Sequence, residues 1–252
     1  MRVAFVGKGG AGKSTVAGTL ARLVAADGER VLAVDSDPMP GLAFALGLER
    51  VDTGVPDAAV EEHSVDGRTG YRLRPGLTAE QAILQYAAQG ADGVRLLQLG
   101  KARGVPGENL RAHHAFQQIL DELPRTGWTV VGDLPGGTRQ PFFGWGRYAD
   151  TVVVVVEPTP ASMLSARRLA RLAGTGSAPR GVAVVNKSGA PGDADLVAER
   201  TGLTVLADVP LDPAVSRADR RGTALLDHDA GAPAVDAVRH LRSRLLEEEA
   251  RR

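Results

Sequence analysis

The chain has 252 residues, 43% of them hydrophobic and 24% charged, which is ordinary for a folded chain and unlike a disordered one. Thirty Lys and Arg balance thirty Asp and Glu, so no global field draws nucleic acid or an anionic membrane. There is no cysteine, which excludes disulfides, thiolate zinc sites and thiolate-held iron–sulfur clusters together.

The first apolar run, Val3 to Val6, reads as a strand, and Val16 to Val24 carries apolar residues at helical spacing. Between them, Gly7-Lys8-Gly9-Gly10-Ala11-Gly12-Lys13-Ser14-Thr15 meets G-x-x-x-x-G-K-[ST] at every fixed position. Such a loop curls backbone N–H groups around phosphate oxygens, and the following helix N-terminus adds partial positive charge. Lys13 is placed for the β- and γ-phosphates and Ser14 for Mg²⁺, so the stretch predicts a nucleoside triphosphate site. Lysine is otherwise scarce. Only Lys8, Lys13, Lys101 and Lys187 occur, and two of the four lie in this loop. An ammonium and a guanidinium are not interchangeable at a phosphate, so these lysines point to chemistry.

Val31 to Val34 is a continuous apolar run, the pattern of a buried parallel strand, and it ends in Asp35-Ser36-Asp37-Pro38. Carboxylates at the C-terminal edge of a strand face the ligand crevice of an open α/β sheet. Asp37 is suited to orient a water and Asp35 to reach the Mg²⁺ shell. Residues 50–70 are polar and turn-rich and give no element. Thr78-Ala79-Glu80-Gln81 is a capping box opening a helix to about Gln89, and Val94 to Leu99 is a strand. Lys101 and Arg103 follow at the end of that strand. A helix is expected over Asn109 to Leu123, then a strand over Trp128 to Gly132 that delivers Asp133-Leu134-Pro135-Gly136-Gly137. An acidic residue ending an apolar strand downstream of a phosphate loop is a Walker B arrangement, with Asp133 on the Mg²⁺ shell through water. A Gly136 or Gly137 N–H is suited to sense the γ-phosphate.

Four of the ten aromatics fall between Phe142 and Tyr148, suiting either a partner surface or core packing under the next strand. Strands over Thr151 to Val156, Gly181 to Lys187 and Thr204 to Val209 alternate with helices over Ser162 to Ala173 and Asp193 to Arg200. A loop, Pro210 to Pro213, precedes a short helix, and Ala234 to Glu249 is an amphipathic helix. The alternation predicts an α/β fold, one three-layer domain over residues 1–252 with a mostly parallel sheet covered on both faces. No apolar run approaches the ~20 residues of a membrane span. The first strand starts at the N-terminus, leaving no room for a signal peptide, so a cytoplasmic protein is expected. Asn186-Lys187-Ser188-Gly189 begins like the guanine-reading N-K-x-D but has Gly189 in place of the aspartate. With no carboxylate to accept the guanine N–H donors, ATP is favoured.

At the phosphate loop the chain resembles the deviant Walker A ATPases of the MinD/ParA class, whose G-K-G-G-x-G-K-[ST] is matched throughout with Lys8 as the signature lysine. Asp35-x-Asp37-Pro38 resembles that class's switch I and Asp133-x-Pro135-x-Gly137 its switch II. The resemblance implies a homodimer with ATP at its interface, in which Lys8 reaches the partner's phosphates and Asp37 positions the attacking water. It also implies adenine contacts from Asn186 and from the loop Pro210, Leu211 and Asp212, and phosphate contacts from Gly9, Gly10, Ala11, Gly12 and Thr15. Within the class, Asp35-x-Asp37-Pro38, Arg95 to Gly100, Pro106-Gly107-Glu108-Asn109, Val155 to Pro158 and Pro210 to Pro213 resemble the nickel-insertion accessory ATPases of carbon monoxide dehydrogenase. Those carry a Cys-x-Cys pair before the Pro106 turn. This chain has Arg103-Gly104-Val105 there, and the nitrogenase iron-protein branch, which needs cluster cysteines, is likewise excluded. His113 and His114 are adjacent on a helix, diverge by ~100° and are expected to be surface or packing histidines rather than metal ligands.

Three functions compete: an accessory or maturation ATPase acting on a client protein, a partitioning or positioning ATPase, and a small-molecule kinase or ligase on the same scaffold. For DNA, Arg167, Arg168, Arg171, Arg217, Arg220 and Arg221 are expected to be solvated helix faces. For membrane, Glu247 to Glu249 oppose anionic lipid at the end of the last helix.

Overall fold

The computed structural model describes residues 1–37, 41–49, 51, 54–65, 68–99, 106–137, 144, 146–173 and 179–251. The chain runs through β1 (Arg2–Gly7), α1 (Lys13–Ala26), β2 (Val31–Asp35), a short α2 (Leu42–Ala45), β3 (Val60–Val65), β4 (Arg68–Leu73), α3 (Ala79–Tyr86), β5 (Ala88–Gln89), β6 (Arg95–Gln98) and α4 (Pro106–Glu122). It continues through β7 (Thr129–Asp133), β8 (Thr151–Val156), α5 (Pro160–Ala173), β9 (Arg180–Ser188), α6 (Asp193–Thr201), β10 (Val205–Pro210), α7 (Pro213–Arg221), α8 (Leu225–His228) and α9 (Pro233–Ala250).

One sheet is ordered β10-β9-β8-β1-β7-β2-β6-β5 and is parallel except where β5 meets β6. Strands β1, β2, β7 and β8 are buried along their whole length, as continuous apolar runs in a doubly covered sheet must be. One face carries Val3, Phe5 and Val131 against Leu20 of α1 and Val235, Val238 and Leu241 of α9. The other carries Val6, Val34 and Val130 against Ile83 of α3, Phe116 and Ile119 of α4 and Leu169 of α5. Alternate residues of a strand thus feed two helical layers, the α/β architecture that the alternation predicts. Arg22 clamps α1, its buried guanidinium bonding Asp92 at 2.7 Å and both oxygens of Asp227 at 2.8 Å. Among the described residues no helix is long and apolar enough to cross a membrane.

Two expectations need correction. Residues 50–70, read as lacking elements, contribute an antiparallel hairpin of β3 and β4 that packs on α4, where Gln118 Oε1 accepts from Leu73 N at 2.7 Å. A sequence signal was present, since Asp66-Gly67 sits between two short extended runs, but the polar strand Glu61-Glu62-His63-Ser64 hid the pattern. The helix from Thr78 opens on the predicted capping box, with Gln81 N donating to Thr78 Oγ1 at 3.2 Å and Thr78 N to Gln81 Oε1 at 2.9 Å. It ends at Tyr86 rather than Gln89, because Ala88 and Gln89 instead pair with Leu96 and Arg95 at the free edge of the main sheet. Edge pairing satisfies backbone groups of β6 that one more helical turn would leave open.

Candidate functional site

Strand order assembles the site. Because β7 lies between β1 and β2, Asp133 is in register with Phe5 on one side and with Asp35 on the other. The two acidic strand ends thereby stand side by side at the mouth of the phosphate loop. Helix α1 starts there with Gly12 as its N-cap in the left-handed region, φ 91°, with no side-chain cap and no acidic residue in the first turn. Its first N–H groups are left for an external anion. A Cβ at position 12 would overlap Asn186 Nδ2, so the loop reaches this close approach only with glycine.

Lys13 is buried and Ser14 Oγ donates to Asp133 Oδ2. The second oxygen, Asp133 Oδ1, is buried and has no hydrogen-bond partner among the described residues. Burial, with Asp35 and Asp37 close by, pushes the Asp133 carboxyl up to about 7 against the opposing Ser14 bond and Lys13 charge. Burial likewise pushes Asp35 up to about 6, although backbone N–H groups pull it down. A buried carboxylate oxygen with no donor among the described residues, on a carboxylate that also holds the Ser14 hydroxyl, is a hard oxygen donor of the kind Mg²⁺ takes. The residues therefore fit Mg²⁺, with Ser14 and Asp133 as its nearest candidates.

Asp35 is placed differently from a simple shell ligand. Its oxygens accept from Asp37 N at 3.1 Å, Gly41 N at 3.1 Å and Leu42 N at 3.0 Å, so it braces the loop that carries Asp37. Gly136 lies against the phosphate loop, where a Cβ would be 3.4 Å from Gly9 N. Asn186 is buried and its Nδ2 donates to Ala11 O at 2.7 Å. Asp212 caps α7 through Ala214 N at 2.8 Å and holds the start of α9 through Ala234 N at 3.1 Å, so both its oxygens are engaged within the fold. Gly10, Gly12, Thr15, Asn186, Pro210 and Leu211 line one cavity of about 560 Å³. Lys8, by contrast, is exposed, and among the described residues no hydrogen bond or ion pair holds its ammonium.

One contributor was not assigned from the sequence. Lys187, in the left-handed region at φ 58°, donates from Nζ to Gly10 O at 2.7 Å and to Glu157 Oε1 at 2.5 Å. It straps the phosphate loop to the end of β8, and the scarcity of lysine was the signal that it had a task. Of the aromatic stretch, Tyr148 is buried in the core on the far face of β7. Phe142, Phe143 and Trp145 lie outside the described residues, as do Pro38, Lys101 and Arg103. His113 and His114 stand edge to face at 6.2 Å, and His114 also faces Tyr71 at 5.9 Å. Burial and the neighbouring His114 lower the pKa of His113. Exposed arginines 167, 168 and 171 share α5.

Residues 3–226 match the family described as the CobQ/CobB/MinD/ParA nucleotide binding domain. The chain is 29% identical over 259 residues to the carbon monoxide dehydrogenase accessory protein CooC of Rhodospirillum rubrum, covering 98% of this chain and 97% of that protein. In fold it is similar to the cell division ATPase MinD of Pyrococcus furiosus, with a TM-score of 0.73, 19% identity and 98% of each chain covered. It is also similar to the septum site-determining protein MinD of Pyrococcus horikoshii, solved with Mg-ADP, with a TM-score of 0.72, 16% identity and coverage of 96% of this chain and 94% of that one.

Proposed function

Because the chain belongs to the CobQ/CobB/MinD/ParA nucleotide-binding family, we propose that it is a magnesium-dependent ATPase that works as an ATP-bridged homodimer in the cytoplasm and serves as an accessory or maturation factor for a client protein or metalloenzyme. The observation that carries the chemistry is the orphaned oxygen of Asp133 beside the Ser14 hydroxyl at an uncapped helix start.

In this reading the N–H groups of Gly9, Gly10, Ala11, Gly12, Ser14 and Thr15 and the Lys13 ammonium bind the phosphates, while Lys187 and Asn186 hold the loop in shape. Ser14 and Asp133 would hold Mg²⁺, and Asp35 would support that site through the loop it fixes. The chemistry that Mg²⁺ would supply there is neutralisation of phosphate charge. Asp37 orients a water for in-line attack on the γ-phosphorus, and the bond to the β–γ bridging oxygen breaks to release ADP and phosphate. The Asn186 oxygen, unused in its bond to Ala11, is an acceptor of the kind that an adenine 6-amino group needs, and Pro210 and Leu211 supply apolar surface. Lys8, exposed beside the loop, reaches the second subunit's phosphates and compensates charge there as an arginine finger does. Similarity to CooC along nearly the whole chain supports the accessory role. A cysteine-free chain cannot offer thiolates to a metal cargo.

The test is a pair of variants. Asp37→Ala is expected to retain ATP and elute as a dimer that hydrolyses slowly. Lys8→Ala is expected to bind ATP yet lose turnover by roughly 10³, the low end for a charge supplied across an interface. Normal turnover in Lys8→Ala, or an ATP-loaded Asp37→Ala that stays monomeric, overturns the dimer. A positioning ATPase with DNA contact is the second reading, favoured by exposed Arg167, Arg168 and Arg171 on one helix. ATP-dependent, salt-sensitive DNA binding would establish it instead.

A further inference from the structure

Large apolar side chains exposed to water need a reason when they border a cavity. Among the described residues Phe44 is 51% exposed and Leu211 is 65% exposed, and both line the cavity that contains the phosphate-loop residues Gly10, Gly12 and Thr15. They come from separate elements of the chain. Phe44 sits on α2, which packs so closely on α1 that a Cβ at Gly18 would overlap Ala45. Leu211 sits in the loop after β10, whose N–H donates to Ser188 O at 2.8 Å. The Asp35 carboxylate fixes the entry to α2 through Gly41 N and Leu42 N, so the position of Phe44 is set by the core of the site rather than by a loose loop.

We propose that Phe44 is a base-contacting, specificity-determining residue whose ring packs against a purine base entering the cavity, with Leu211 as a second apolar surface. The inference rests on the nucleotide reading above and adds to it a wall from α2. An aromatic face beside an aliphatic one favours a large flat π-system, and covering both removes exposed apolar area from water. Asn186, which lines the same cavity, is the hydrogen-bonding partner. The wall also joins base recognition to the carboxylate cluster, because one segment from Asp35 to Phe44 carries both.

The experiment measures affinities of the full chain for Mg-ATP, Mg-CTP and Mg-tripolyphosphate by calorimetry. Phe44→Ala is expected to weaken ATP roughly tenfold, as loss of one stacked base contact does, and to narrow the ratio between ATP and CTP while tripolyphosphate binding holds. Phe44→Trp should restore ATP affinity, with its indole emission changed by ATP and not by tripolyphosphate. Unchanged ATP affinity in Phe44→Ala, or a Phe44→Trp emission indifferent to ATP, overturns the proposal and leaves the phosphate-loop reading standing. If Lys13→Ala keeps full affinity for ATP, the phosphate-loop reading itself fails, which is a separate outcome. Circular dichroism of each variant separates misfolding from lost contact, and Phe44, half exposed, is expected to leave the fold intact.

Discussion

The two sides of β7 each bury a polar atom without a partner among the described residues, and they do so for opposite reasons. On the side facing α1, Asp133 Oδ1 is unpaired at the mouth of the phosphate loop, with Lys13, Ser14 and Asp35 around it. On the other side, the hydroxyl of fully packed Tyr148 is unpaired against Gly132, where any Cβ would overlap it. Burial first, then the charges of Asp133 and Asp35, drive the Tyr148 pKa far up, so the phenol stays neutral. The lesson concerns access. An orphaned acceptor that a cation can reach is stored binding capacity, whereas an orphaned hydroxyl sealed in a core is a cost of about 1–3 kcal/mol. Glycine at 132 and aspartate at 133 are adjacent in the chain, yet the pleat sends them to these two different environments.

The comparison can be broken most sharply at Asp133. Asp133→Asn keeps the shape and removes the charge, and Mg²⁺-dependent ATP turnover is expected to fall roughly 10- to 100-fold. Steady-state phosphate release across a magnesium titration checks this, and a curve superimposable on the parent chain would mean that the orphaned oxygen holds no cation.

A smaller effect is expected in the ligand-free protein as pH changes. Asp133 and Asp35 are held at about 7 and about 6 in the fold against 3.8 ordinarily, so the folded chain binds more protons than the unfolded chain between those values. Unfolding free energy therefore falls as pH rises from about 4 to about 7, the reverse of the usual carboxylate behaviour. Thermal melts should show a lower Tm at pH 7.5 than at pH 5 without nucleotide. Asp133→Asn should flatten the upper part of that slope, as should saturating Mg-ATP.

The smallest effect belongs to the sealed side. Tyr148→Phe removes a hydroxyl that has no partner among the described residues, and stability should rise by up to about 1 kcal/mol, read in urea unfolding, with ATP turnover unchanged. A loss of stability would show that the hydroxyl is satisfied in solution, and the contrast between the two sides would collapse.

Much of the chemistry could be read from residue order. Gly7 to Ser14 specifies a loop with its own backbone, and Lys13 and Ser14 lie within one turn of it. The buried strands declared themselves as unbroken apolar runs, and Thr78 with Gln81 marked a helix start three residues apart. Each of these features depends on neighbours in the chain. The hairpin over residues 60–73 was missed because one strand is polar and its stability comes from α4, distant in sequence. The end of α3 was misjudged for the same kind of reason, since the competing partner was a free sheet edge that local propensity cannot see.

Residue types and their spacing told that this chain carries a phosphate loop and acidic strand ends with no cysteine to hold a metal by sulfur. Only the packed sheet decided that β7 inserts between β1 and β2, bringing Asp35 beside Asp133 across almost a hundred residues. The packed structure also laid Asn186 and Lys187 on the loop carbonyls, closed Tyr148 into the core and brought Phe44 and Leu211 into the lining of one cavity. A local pattern encodes backbone geometry through sterics and nearby hydrogen bonds, which act over a few residues. Strand order, burial and the pairing of distant polar atoms arise from the collective exclusion of water, and that is a property of the whole folded chain.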